Sequence, residues 1–276
     1  MGFFDLYTQS NWRNRKQLLS PLHLAVIHNR PDQVKALLDA GAEDKEDRWG
    51  ITPSHLSKLL SRSNMFSMRQ DRSILIYQHT SKQICEMSVA EFETKLGLIY
   101  VDTLIFDSIE TIHKVAKKCV RKMKDADLRK MNAWTLALHQ NDLKKSRDHL
   151  VYVRWIDSVF GYGIFAAKDL PAFTYIGEYT GVVKRRKRRK NRLNDYVFSY
   201  DVCGQTTRWC IDAKKRGNLT RFLNHSDSPN LTSHWVIQGG ISHIIFFTNQ
   251  RIVKGTQLTY CYGPWYWRSR PKPFII

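Results

Sequence analysis

Three short stretches concentrate the side chains that can do chemistry. RFLNHSDSPN, from Arg221 to Asn230, sets a histidine between an asparagine and a serine, with a second asparagine after a proline. On residue type alone, His225 can serve as a nucleophile's base, as a metal ligand or as part of a hydrogen-bonded loop. QLTYCYG, from Gln257 to Gly263, puts Tyr260 and Tyr262 two positions apart. In a strand both rings then share one face, and Cys261 points to the other. FGYGIFAAKDLPAF, from Phe160 to Phe173, carries Gly161 and Gly163, where the absence of Cβ lets a ligand reach the main chain. Gly161, Gly163 and Ala166 also satisfy the dinucleotide-binding glycine spacing, but that motif must open a helix. Pro171 and the β pattern resuming at Phe173 leave no room for one.

The elements that must position these residues follow from composition and period. The chain has 276 residues, 42% of them hydrophobic and 12% aromatic, enough for a packed core in one or two domains. Its 44 Lys and Arg against 25 Asp and Glu give a formal charge of +19, which favours an anionic partner. Five cysteines lack any Cys-x-x-Cys pair, so a disulfide framework or zinc cluster is not expected and a reducing compartment is. MGFFDLYTQS lacks the charged and apolar regions of a secretory signal, and no apolar run approaches the ~20 residues of a membrane span. A soluble protein with no membrane partner is expected.

Near the N-terminus, SPLHLAVIHNRPDQVKALLDAGAED reads as two short helices broken at Asn29-Arg30-Pro31. The pattern restarts at GITPSHLSKLL, with Pro53 in the role of Pro21. That spacing and the SPLHLA and TPSHLS stretches resemble the ankyrin repeat of ~33 residues. The second copy fades after Leu60, so either divergent helices complete the stack or the repeats lean on the next domain. From Ser88 to His149 the chain reads as helical: Ser88 and Glu91 suit a capping box, and Ile109, Ile112, Ala116, Cys119, Val120 and Met123 form an apolar stripe. After His149 the texture becomes β: LVYVRW, TYIGEYTGVV, DYVFSYDV, TRWCIDA, WVIQGGISHIIFFTNQ and QLTYCYG. The expected class is α+β: an all-helical ankyrin-like region over 1–64, a mostly helical connecting region over 65–149, and a β-rich domain over 150–276.

In order, Gly161-x-Gly163, IGEYTG from Ile176, IDA from Ile211 leading into RFLNHSDSPN, and LTYCYG ending at Gly263 resemble the SET domain of protein lysine methyltransferases. The resemblance implies a pseudoknot, S-adenosylmethionine as cofactor and a lysine side chain as methyl acceptor. Carried over by motif, Gly161, Tyr162 and Gly163 lie against the cofactor through their backbone, and Tyr196 is a cofactor-contacting aromatic. Asn224 and His225 hold the adenine through main-chain groups, which removes His225 from the base role. Tyr262 stands at the methyl-transfer centre, with Tyr179 a second tyrosine of the lysine channel. A tyrosine at Tyr260 implies a preference for monomethylation. Asp227 stands where zinc-binding relatives have cysteine, and no Cys-x-Cys follows Gly263. No metal is therefore implied, and the tail PWYWRSRPKPFII is expected to close the site with Trp265 or Trp267 against the adenine.

KRRKRRKNR, from Lys184 to Arg192, has eight basic residues in nine. It suits phosphate contacts on nucleosomal DNA and reads as a nuclear localisation signal. A histone is the leading expected substrate and the nucleus, a host's if the source is an intracellular bacterium, the expected place. The alternatives are a non-histone target selected by the ankyrin-like region, which can also bind a protein partner, or a chromatin-binding adaptor of weak activity.

Overall fold

Prolines open the three N-terminal helices of the computed structural model, which describes residues 18–62, 65–66, 72–139, 141–143, 146–186, 194–268 and 270. They are α1 (Pro21–Ile27), α2 (Pro31–Asp39) and α3 (Pro53–Leu59). A proline in the first turn loses nothing, because its missing N–H would have had no helical partner. Ser20 and Thr52 cap α1 and α3 by accepting the amides of His23 and His55. His23 Nδ1 accepts the Ser20 amide at 3.1 Å, and Nε2 then donates to the Ile51 carbonyl at 3.0 Å, tying α1 to the start of α3.

The connecting region departs from its helical expectation at Ser73–Gln78 (β1) and Gln83–Ser88 (β2), which form an antiparallel hairpin. The reason is local: Ile74 and Ile76 alternate inward, at 0% and 2% exposure, a period of two rather than 3.6. The Ser88–Glu91 capping box opens α4 (Val89–Leu96). Two short strands follow, β3 (Ile99–Tyr100) and β4 (Ile105–Phe106), then α5 (Ile109–Lys122) and α6 (Ala126–His139). Helix α5 buries Ile112, Val115, Ala116 and Cys119. Val120, assigned to that stripe from sequence, is 42% exposed, because it lies on the lysine-rich side of the helix.

The remaining strands are β5 (Val151–Asp157), β6 (Gly161–Ala166), β7 (Tyr175–Glu178), β8 (Val182–Arg185), β9 (Val197–Val202), β10 (Gln205–Asp212), β11 (Arg216–Gly217), β12 (Asn224–His225), β13 (Leu231–Gln238), β14 (Ile241–Thr248) and β15 (Thr259–Tyr260). They assemble as β2-β1-β5-β6, β4-β8-β10-β9 and β13-β14-β7, with the small pairs β3–β11 and β12–β15. A short helix, α7 (Pro264–Trp267), follows the last strand.

The N-terminal helices lean on this β assembly. Leu22, Leu56 and Leu59 belong to the same buried cluster as Ile211, Phe246 and Leu258. The contact is close at the β13–β14 turn: a Cβ at Gly239 would stand 2.6 Å from His55, and one at Gly240 would stand 2.3 Å from the Trp49 carbonyl. Both glycines have positive φ, so the turn is tight as well as crowded. Trp49 also stacks on His113 of α5 at 4.6 Å.

Candidate active site

Strand β6 supplies the glycine edge. Gly161 sits at φ 67°, just after a turn in which Asp157 Oδ1 accepts the amides of Val159 and Phe160, each at 2.8 Å. A Cβ at Gly163 would lie 2.8 Å from Ile156 Cδ1, 2.9 Å from Gln257 Nε2 and 3.2 Å from Asn224 Nδ2. Only glycine lets the Asn224 loop and the Gln257 segment approach β6 this closely. Asn224 Nδ2 closes the contact by donating to the Tyr162 carbonyl at 3.3 Å. The Tyr162 ring packs against Trp155 at 5.0 Å and Phe222 at 5.8 Å.

The RFLNHSDSPN and QLTYCYG segments are adjacent in space. Strand β12 pairs in parallel with β15, Asn224 opposite Thr259 and His225 opposite Tyr260, and the Ser226 amide donates to the Tyr260 carbonyl at 3.2 Å. Asn230 fixes the same segment from the other side: its Nδ2 donates to the Gln257 carbonyl at 2.8 Å and its Oδ1 accepts the Thr259 amide at 2.9 Å. His225 is occupied at both nitrogens. Nδ1 accepts the Tyr262 amide at 3.2 Å, so Nε2 carries the proton and faces Asp227 Oδ1 at 3.2 Å. Asp227 thus faces this imidazole from two residues along the chain.

Tyr179, Tyr260 and Tyr262 are brought together by two phenylalanines that the sequence reading did not single out. Phe198 of β9 lies 4.9 Å from Tyr179 and 5.8 Å from Tyr260, and Phe246 of β14 lies 6.4 Å and 5.0 Å from the same two rings. Tyr260 and Tyr262 are 4.8 Å apart. Tyr179 donates to the Tyr196 carbonyl at 3.1 Å and Tyr262 to the Leu223 carbonyl at 2.7 Å. Burial pushes the Tyr179, Tyr260 and Tyr262 phenols well above the ordinary tyrosine range, so all three are protonated donors at neutral pH.

The Tyr196 ring lies 3.9 Å under the Arg221 guanidinium, which burial holds below its usual pKa. Arg221 also donates to the Lys214 carbonyl at 3.1 Å, so it braces the strand end that carries Tyr196. The tail returns over the same place. Trp267 stands 4.8 Å from His225 and stacks on Tyr262 at 6.1 Å and 12°, while Tyr266 meets Tyr262 edge-on at 4.6 Å. Trp267 Nε1 is buried with no hydrogen-bond partner among the described residues. The Trp265 side chain lies outside the described residues. Of the basic run, Lys184 pairs with Asp212 and Arg186 Nη2 donates to Ser199 Oγ at 2.8 Å; Lys187 to Arg192 lie outside the described residues.

All of these contacts fall within, or directly beside, one recognised stretch. Residues 161–263 match the SET domain. Human histone-lysine N-methyltransferase SETD2 is 37% identical over 107 residues, covering 37% of this chain and 4% of the relative. Histone-lysine N-methyltransferase MEDEA of Arabidopsis thaliana is 34% identical over 110 residues, covering 38% of this chain and 16% of the relative. Among solved structures, KRYPTONITE in complex with mCHH DNA, H3(1-15) peptide and SAH is 31% identical, with a TM-score of 0.35, over 41% of this chain and 23% of the other. The chain thus spans only a small part of the length of these relatives.

Proposed function

We propose that this protein is an S-adenosylmethionine-dependent protein-lysine N-methyltransferase acting on a histone. The observation that carries the reading is the convergence of Tyr179, Tyr260 and Tyr262 on an aromatic cluster beside Asn224–His225 and the β6 glycine edge, inside the span that matches the SET domain.

The residues present fit the cofactor. Gly161 and Tyr162 are partly exposed at the start of β6, and Tyr162, Tyr196 and Trp267 supply aromatic rings for such a group to lie against. Trp267 Nε1, buried and without a hydrogen-bond partner among the described residues, is a donor available to such a group, since a buried unsatisfied N–H is unfavourable by ~1–3 kcal/mol. Gly161, Tyr162, Gly163, Tyr196, Asn224, His225 and Trp267 are the residues we assign to it, with Trp265 assigned from sequence alone. When bound, S-adenosylmethionine supplies an electrophilic methyl on a sulfonium, so the protein's work is to present a neutral amine in line with it.

A lysine in water has a pKa of ~10.4, and burial between Tyr179, Phe198, Phe246 and Tyr260 disfavours its charged form. Tyr262 spends its O–H on the Leu223 carbonyl, which leaves its oxygen lone pairs to orient the amine and accept weak C–H contacts. His225 has no role as a base, because both nitrogens are engaged. We further propose that residues 257–260, held between β12 and Asn230, form the pseudoknot of this fold, that α1 to α3 are ankyrin-like, and that the basic run contacts nucleosomal DNA in a nucleus. Transfer of tritium from labelled cofactor to core histones, nucleosomes and a whole-cell extract tests the reading. Label in the extract but not in histone would point to a non-histone target, and no label in any would overturn the activity.

A further inference from the structure

Among the described residues, the tail that covers the site is tied to the 194–195 segment by polar contacts centred on one carboxylate. Asp195 Oδ1 accepts from Arg270 Nε at 2.8 Å and from the Tyr266 hydroxyl at 3.2 Å, and Arg270 Nη2 donates to the Asn194 carbonyl at 3.0 Å. The Arg270 guanidinium also lies 4.3 Å from the Tyr266 ring centroid, within cation–π range. Exposure is unequal: the Arg270 side chain is 16% exposed and that of Asp195 65%. Arg270 is therefore the end drawn out of water. Asp195 is also the first acidic residue after the eight basic ones between Lys184 and Arg192.

Each side of the pair is anchored in the site. Asn194 Nδ2 donates to Asp212 Oδ1 at 3.0 Å, and Asn194 Oδ1 accepts the Tyr196 amide at 3.1 Å. The Tyr196 carbonyl in turn accepts from Tyr179. On the other side, Tyr266 and Trp267 pack against Tyr262 and His225. The pair thus joins the strand end beside Tyr179 to the rings that cover Tyr262.

We propose that Asp195 and Arg270 form a latch that holds the C-terminal aromatic turn closed over the cofactor, with Asp195 a positioning residue for cofactor retention. The identity of the cofactor rests on the methyltransferase reading above; the latch itself rests on the contacts. Charge-assisted hydrogen bonds of this kind are worth roughly ten- to a hundredfold in an equilibrium.

The test uses the full chain and its Asp195→Ala, Arg270→Ala and double variants. Two quantities are measured: hydrogen exchange of the Tyr262–Arg268 segment without cofactor, and calorimetric affinity for S-adenosylmethionine alongside kcat at saturating cofactor. Each single variant is expected to speed exchange of the tail and weaken cofactor binding roughly tenfold, with kcat held within about threefold. The double variant is expected to be no worse than the weaker single one, since both remove the same contact. Wild-type exchange rates in Asp195→Ala, additive losses in the double variant, or a fall in kcat without a fall in affinity would each overturn the latch. If the wild-type protein binds no S-adenosylmethionine, the cofactor assignment fails, and tail exchange alone decides the latch.

Discussion

His243 Nδ1 stands 2.8 Å from Glu178 Oε1, both side chains buried, and Glu178 immediately precedes the channel candidate Tyr179. The Glu178 carbonyl also accepts from Asn218 Nδ2 at 2.8 Å and Thr220 Oγ1 at 3.0 Å. The turn leading into Arg221–Asn230 is therefore built on the same residue. Removing one partner of a buried pair strands the other, at about 3–5 kcal/mol, so Glu178→Ala should lower stability by that order in urea titration. Glu178→Gln, which keeps a hydrogen bond, should lower it less.

The pair also sets a pH dependence. Burial works against a charge on His243, but the Glu178 carboxylate and its hydrogen bond raise the imidazole above its usual 6.5. A raised folded-state pKa stabilises the protein fully below 6.5, and that contribution fades as pH rises through the folded value. Urea midpoints taken between pH 6 and 9 should fall with pH, and the slope should flatten in Glu178→Gln.

His55 behaves in the opposite sense. Burial against Gly239, and then the charge of His243, push its pKa from 6.5 to about 4. The unfolded chain therefore binds more protons between those values, and stability falls as pH drops from 6.5 to 4. At about 1.4 kcal/mol per pKa unit, the loss reaches ~3 kcal/mol. His55→Gln should flatten this acid limb; an unchanged limb would show that the N-terminal helices do not bury His55 in solution.

Gly163→Ala tests the glycine edge. Its Cβ would collide with Ile156 and Gln257 and press Asn224, at about 1–3 kcal/mol of overpacking. The folded variant should retain its circular dichroism and lose cofactor affinity by at least about tenfold, read by calorimetry.

Tyr260→Phe tests product choice. The Tyr260 ring packs against Phe198, Phe246 and Tyr262, and we propose that its hydroxyl takes room a second methyl would need. Mass spectrometry of product made by Tyr260→Phe should show added dimethyl- or trimethyl-lysine, and an unchanged distribution would remove Tyr260 from this role.

The C-terminal half was the more legible part of the sequence because its motifs are short and contiguous. RFLNHSDSPN and QLTYCYG carried meaning only in order with Gly161-x-Gly163 and IGEYTG, and their pairing through β12 and β15 is a tertiary contact. The β1–β2 hairpin escaped because its partner β5 lies beyond α4, α5 and α6 in sequence, and helical periodicity in those segments dominated the reading. Phe198 and Phe246 were not legible as walls of the site, since only tertiary packing brings them to Tyr179 and Tyr260. The Asp195–Arg270 pair spans a separation that no local pattern encodes. The capping box at Ser88 and Glu91, by contrast, lies within one turn and was visible from spacing alone.

The central claim is that Tyr262 stands at a lysine methyl-transfer centre, and label transfer to core histones by wild-type protein and Tyr262→Phe tests it most directly. Wild type should label a histone lysine, and Tyr262→Phe, still folded and still binding cofactor, should label it about a hundredfold more slowly. Equal labelling by the two proteins would contradict the account.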